Sequence, residues 1–154
     1  MSRTLIFGPL LAVICASHAA WAGDLPDRGL TAGGVLTTDT AKVCKRNYIK
    51  SIPPPPSKTV DAVFGAYGIA ARDRGNYKID QLVSLDLGGS NDIYNLWPQN
   101  VRAQPWNTQA KDMLEKRLRK LVCAGQVSLA DAQRALATDW IAAYKQWMGG
   151  LPTN

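Results

Sequence analysis

Residues 77–97 read YKIDQLVSLDLGGSNDIYNLW, and their pattern decides the architecture. Tyr77, Ile79, Val83, Leu85 and Leu87 share one parity, the period-two signature of a strand over 77–87. Gly88, Gly89, Ser90 and Asn91 then form a strong turn signal. Residues 93–97 return as a short second strand or extended segment, which Pro98 ends. From Trp106 onward the period becomes helical. Asn107 or Thr108 can cap a helix whose buried stripe is Ala110, Leu114, Leu118, Leu121 and Val122, stopped by Gly125. Glu115 with Arg119, and Asp112 with Lys116, stand four apart with the acid first, an arrangement that supports a helix modestly. Ser128 and Asp131 resemble an N-cap pair. The helix they open carries Leu129, Ala132, Leu136, Trp140, Ala143, Tyr144 and Trp147 at helical spacing until Gly149 and Gly150. Strands followed by two helices place the chain in the α+β class.

Upstream, residues 59–67 can make a short helix with a stripe of Val60, Val63, Phe64 and Tyr67, broken by the stretch from Gly68 to Gly75. Before it, Pro53 to Pro56 are four consecutive prolines, which must be extended and cannot donate backbone hydrogen bonds. A rigid spacer is the expected use, with a ligand for an aromatic groove as the alternative. Residues 41–52 alternate basic with apolar side chains around Cys44 and are expected to form a short strand or a turn and strand. Residues 23–40, rich in Gly, Thr and Asp, read as an extended lead-in.

The first 22 residues read as a secretory signal. Arg3 is followed by an apolar core and by Ala20, Trp21 and Ala22, a small-x-small cleavage site. The apolar run is shorter than the roughly 18–20 residues that span a bilayer. The expected organisation is therefore a signal peptide over 1–22, an extended segment with the proline run over 23–56, and an α+β domain with a C-terminal helical pair over 57–150. Loss of Arg3 leaves 17 basic and 12 acidic groups in 132 residues. That balance permits contact with nucleic acid or another acidic surface without requiring it. The expected destination is the periplasm or the exterior, with no transmembrane segment after cleavage. The single histidine, His18, leaves with the signal, as does Cys15. Cys44 and Cys123 remain. In an exported chain they most simply form one disulfide, which would close a loop worth roughly 4–4.5 kcal/mol in chain entropy. Two free thiols or a metal pair are the alternatives, although no His or further Cys could complete a zinc shell.

A wider pattern joins these pieces. Cys44, Pro53 to Pro56, Tyr67 with Gly68, Asp80, Leu82, Leu85, and Leu87 through Ser90 recur in order, followed by Asn95 through Pro98. Lys111 with Asp112, Glu115, Val122 with Cys123, Gly125, Ala132 through Ala135, and Asp139 with Trp140 complete it. Over more than 90 residues the chain resembles a family of small exported bacterial proteins with an HNH (ββα-metal) nuclease-like core. The resemblance implies a ββα core with additional C-terminal helices. In an HNH nuclease a strand His is the general base, an adjacent Asp and groups on the helix hold a divalent metal, and a middle Asn orients the His. The corresponding positions here are Asp80, Gln81 and Asn95, so the base position holds an amide with no titratable nitrogen. Gln109 and Arg119 stand where the family tends to show His.

The resemblance leaves three functional expectations. The first is a catalytically degenerate HNH-like protein that keeps its scaffold to bind nucleic acid or an envelope partner. The second is an active metal-dependent endonuclease using a carboxylate site of Asp80, Asp112 and Glu115. These are oxygen donors suited to Mg²⁺ or another hard divalent ion, and two of them lie three apart on one helical face. The third is a structural or interaction module of the envelope. No cofactor is expected unless the enzyme is active. Nucleic-acid contacts would come from Arg102 and Lys111 to phosphate and from Trp97 by stacking, although core packing is the role expected first of Trp97.

Overall fold

The computed structural model describes residues 23–152, so the expected signal segment with His18 lies outside the described residues. Its sheet is a two-stranded antiparallel ribbon. Strand β1, Tyr77–Gln81, pairs with β2, Leu96–Asn100, in the register Ile79 opposite Pro98 and Asp80 opposite Trp97. Both strands differ from the sequence expectation. β2 runs through Pro98 instead of ending there. The bonds Leu82 N to Asn95 O and Val101 N to Asn76 O mark the hydrogen-bonded positions of the ladder. Those recur at every second pair, so Ile79 opposite Pro98 falls between them and the missing N–H costs the ladder nothing.

β1 stops at Gln81 rather than reaching residue 87. Beyond it, residues 82–95 wrap around one buried side chain, that of Asn95. Ser84 caps a single 3₁₀ turn, Leu85–Leu87, by accepting from Asp86 N, and Gly88 follows at φ 78°. Gly89 passes so close to the loop's own start that a Cβ would stand 1.7 Å from Val83 O, so only glycine fits. The lead-in straps this loop from outside, with Leu36 N and Thr37 N donating to Gly88 O.

Among the described residues, four α-helices surround the ribbon. The first, α1 (Thr40–Val43), is capped by Asp39 and replaces the strand expected over 41–52; a 3₁₀ turn, Ile49–Ser51, follows it. The second, α2 (Ser57–Ala66), leaves the proline run and buries Val63 and Phe64. The third, α3 (Thr108–Cys123), is capped by Asn107, whose side chain accepts from Ala110 N. The last, α4 (Leu129–Met148), begins at Ser128 and bends at Asp139, where φ −167° and ψ 97° leave the helical region. Asp139 Oδ1 accepts from Ile141 N and Ala142 N at 2.9 Å each and so recaps the second half.

The core lies where α3 and α4 meet the ribbon. Trp97, Leu114, Leu118, Leu136 and Trp140 are fully buried there, and Trp106 packs edge-on against Trp140 and Tyr144. Cys44 and Cys123 form the expected disulfide, with a Cα–Cα distance of 5.7 Å and a sequence separation of 79. It ties the end of α1 to the end of α3. No helix among the described residues is long and apolar enough to cross a membrane.

Candidate functional site

The core-facing stripe of α3 contains two charged residues. Lys111 and Glu115 stand four apart, one turn of helix, within the row of Ala110, Leu114, Leu118 and Val122. Strand alternation turns Asp80 toward the same seam, on the face that also carries Trp97. The Lys111 ammonium therefore sits between strand and helix. Its Nζ is 2.8 Å from Asp80 Oδ2, donates to Gln81 O at 2.6 Å, and makes a very short contact with Glu115 Oε1. An ammonium has three N–H donors, and three acceptors surround this one. The Lys111 side chain is 1 % exposed, against 8 % for Asp80 and 10 % for Glu115, so all three charged groups are buried and the ammonium most completely.

Burial would by itself lower the Lys111 pKa, but the negative charges of Asp80 and Glu115 outweigh it and hold the ammonium well above its ordinary value. Burial pushes Glu115 up to about 7, with the Asp80 charge adding to the rise; Lys111 and a hydrogen bond to Ser84 oppose it. Two carboxylates thus share one ammonium, and near neutrality the second of them takes up a proton.

The three residues expected to hold a metal are not brought together. Asp80 and Glu115 face each other across Lys111. Asp112 stays half-exposed on the neighbouring side of α3, where its charge acts on Asp86. Among the described residues, no group of three or more His, Cys, Asp or Glu side chains is placed to hold a metal ion. The donor set therefore does not fit a divalent ion, and the space between its two carboxylates is filled by a fixed positive charge.

Asn95 and Gln81 also part company. Asn95 Oδ1 accepts from Gly34 N and Val83 N, while Nδ2 donates to Val83 O and Ser90 O. Its whole bonding capacity organises the loop and leaves nothing to orient position 81. The Gln81 side chain is half-buried on the other face of β1. It donates to Asn91 Oδ1 at 2.8 Å, and Asn91 in turn donates to Pro53 O at 2.7 Å. That relay fastens the proline run to the loop.

The expected nucleic-acid contacts separate in the same way. Lys111 and Trp97 lie in the core, where neither can reach a phosphate or a base, and Arg102 is exposed. Arg119 pairs with Asp86 at 3.4 Å and donates to Val43 O and Lys45 O, rather than pairing with Glu115. Reading α3 by its charges alone hid the Lys111–Glu115 pair. The signal was present in the spacing, since positions 111 and 115 are flanked by 110, 114 and 118 of the apolar stripe.

No family model, no curated protein and no solved structure matches this chain.

Proposed function

We propose that this chain is an exported α+β protein with an HNH-like ββα core, built from β1, β2 and α3, in which the Lys111 ammonium stands in place of the catalytic metal. On this reading it is a binding scaffold for nucleic acid or an envelope partner, without nuclease turnover. The observation that carries it is the position of Lys111 Nζ between Asp80 on the strand and Glu115 on the helix. A divalent cation there would have to displace a buried positive charge, and like charges a few ångströms apart repel strongly in a low dielectric. The base position supports the same conclusion, because the Gln81 amide cannot accept a proton from water and is committed to Asn91. The disulfide suits an oxidising compartment and so supports export.

The test combines plasmid nicking with thermal melting in Mg²⁺, Mn²⁺, Ni²⁺ or Zn²⁺. A bound ion would stabilise the native state by mass action. The account expects no nicking and the same Tm with ion or with chelator. Cleavage that chelator and Asp80→Ala both abolish would overturn it.

A further inference from the structure

Charge is unevenly distributed along this chain. Between Asp39 and Asp61 there is no acidic residue, yet Lys42, Lys45, Arg46 and Lys50 fall there. Between Glu115 and Asp131 there is again none, while Lys116 and Lys120 lie a turn apart on α3. The fold joins these two acid-free stretches. The Cys44–Cys123 disulfide holds them together, and the Arg119 guanidinium bonds across the seam to Val43 O and Lys45 O. At about 100° of rotation per residue, positions 116, 119, 120 and 123 share one side of α3, so the two lysines flank the bridge, with Asp112 on the same side and Asp86 beside Lys116 and Arg119 as its acidic border. Lys42, Lys45, Arg46, Lys50, Lys116 and Lys120 are all exposed, and among the described residues none of these six forms an ion pair with an acid, whereas Arg119 between them is paired with Asp86.

Fixing six like charges on one rigid face works against the compact state through self-repulsion, which an anionic partner relieves. The apolar content of the face decides which partner. Ile49, between Arg46 and Lys50, is 39 % exposed, whereas its neighbour Tyr48 is buried at 5 %. The face thus offers an aliphatic side chain among cations and no aromatic plane on which a base could stack. Lysines and arginines beside an exposed aliphatic group match the headgroup region of an anionic bilayer, where cations meet lipid phosphate and the apolar group enters the acyl boundary. We infer that the disulfide-joined face of α1, the Ile49 turn and the end of α3 docks on an anionic phospholipid surface. This stands independently of the Lys111 site.

The experiment is sedimentation of the exported, oxidised protein with vesicles of phosphatidylcholine alone or with about one third phosphatidylglycerol, at two salt concentrations. Binding is expected only to the anionic vesicles and should weaken as salt screens the surface. Lys45→Glu with Arg46→Glu should lower the partition coefficient at least about tenfold. The same charge change at Lys78 and Arg102, away from the bridge, should lower it no more than about threefold. Equal losses in the two variants would show net charge alone and overturn the assignment, as would absence of binding to anionic vesicles. Tighter binding to duplex DNA than to vesicles of equal phosphate content would also overturn it, in favour of a nucleic acid. Circular dichroism and a thiol assay check that both variants are folded and oxidised.

Discussion

Two buried polar side chains, Asn95 and Lys111, organise neighbouring parts of this molecule, and they do so on different terms. Asn95 is neutral, and its two donors and two acceptor sites meet four backbone groups. Lys111 is charged, donating to Gln81 O and Glu115 and ion-paired with Asp80, but its two carboxylate partners together carry one more negative charge than it can neutralise. A satisfied neutral hub fixes a loop at every pH. A charged hub with a surplus carboxylate makes the strand–helix seam sensitive to charge removal and to pH.

The largest break should come at the charged hub. Lys111→Ala leaves Asp80 and Glu115 buried and facing each other, and is expected to destabilise the fold by about 3–5 kcal/mol in urea denaturation at pH 8. Replacing Asp80, Lys111 and Glu115 together with Leu, Met and Leu should recover most of that loss, because burying a charge triad is no better than apolar packing.

At the neutral hub, Asn95→Ala orphans buried groups that include Val83 N and Ser90 O. The expected loss is about 2–4 kcal/mol, with no dependence on pH between 5 and 8.

Glu115→Gln sharpens the contrast. Because the folded pKa of Glu115, about 7, lies above its unfolded value, its stabilisation is complete below about pH 4.5 and is lost as pH rises through 7. The difference in unfolding free energy between wild type and variant should therefore shift, on the order of 1–3 kcal/mol, against the wild type between pH 4.5 and pH 8. A pH-independent difference would show that Glu115 ionises normally.

The smallest effect concerns the strap over the neutral hub. A Cβ at Gly34 would stand 2.7 Å from Ser90 Oγ and 3.1 Å from Asn95 Cβ, so Gly34→Ala should cost about 1–2 kcal/mol by chemical denaturation.

The same comparison explains what the sequence could convey. Helix ends were legible because capping is local: Asn107 and Ser128 stand three residues before the N–H groups they satisfy, those of Ala110 and Asp131. The apolar stripes of α3 and α4 were legible for the same reason, and the disulfide followed from cysteine count and compartment. The end of β1 was not legible. The period-two pattern continues to Leu87, and only Asn95, twelve residues beyond Val83, turns the chain aside. The 41–52 stretch misled because α1 spans four residues, too few to display a helical period. At the site, the Lys111–Glu115 pair lies in the helical spacing of α3, but its partnership with Asp80 depends on how β1 sits against α3, which no local spacing encodes. Trp97 is in the core, the role the sequence favoured over stacking, because its register opposite Asp80 turns it to the buried face.

The central claim is that Lys111 holds the place between Asp80 and Glu115 that a metal would need. Crystals of the oxidised protein grown in millimolar Mn²⁺ test it directly, through an anomalous difference map. The account predicts Lys111 Nζ between the two carboxylates and no anomalous peak there. A manganese peak bridging Asp80 and Glu115, with the Lys111 side chain turned away, would contradict it.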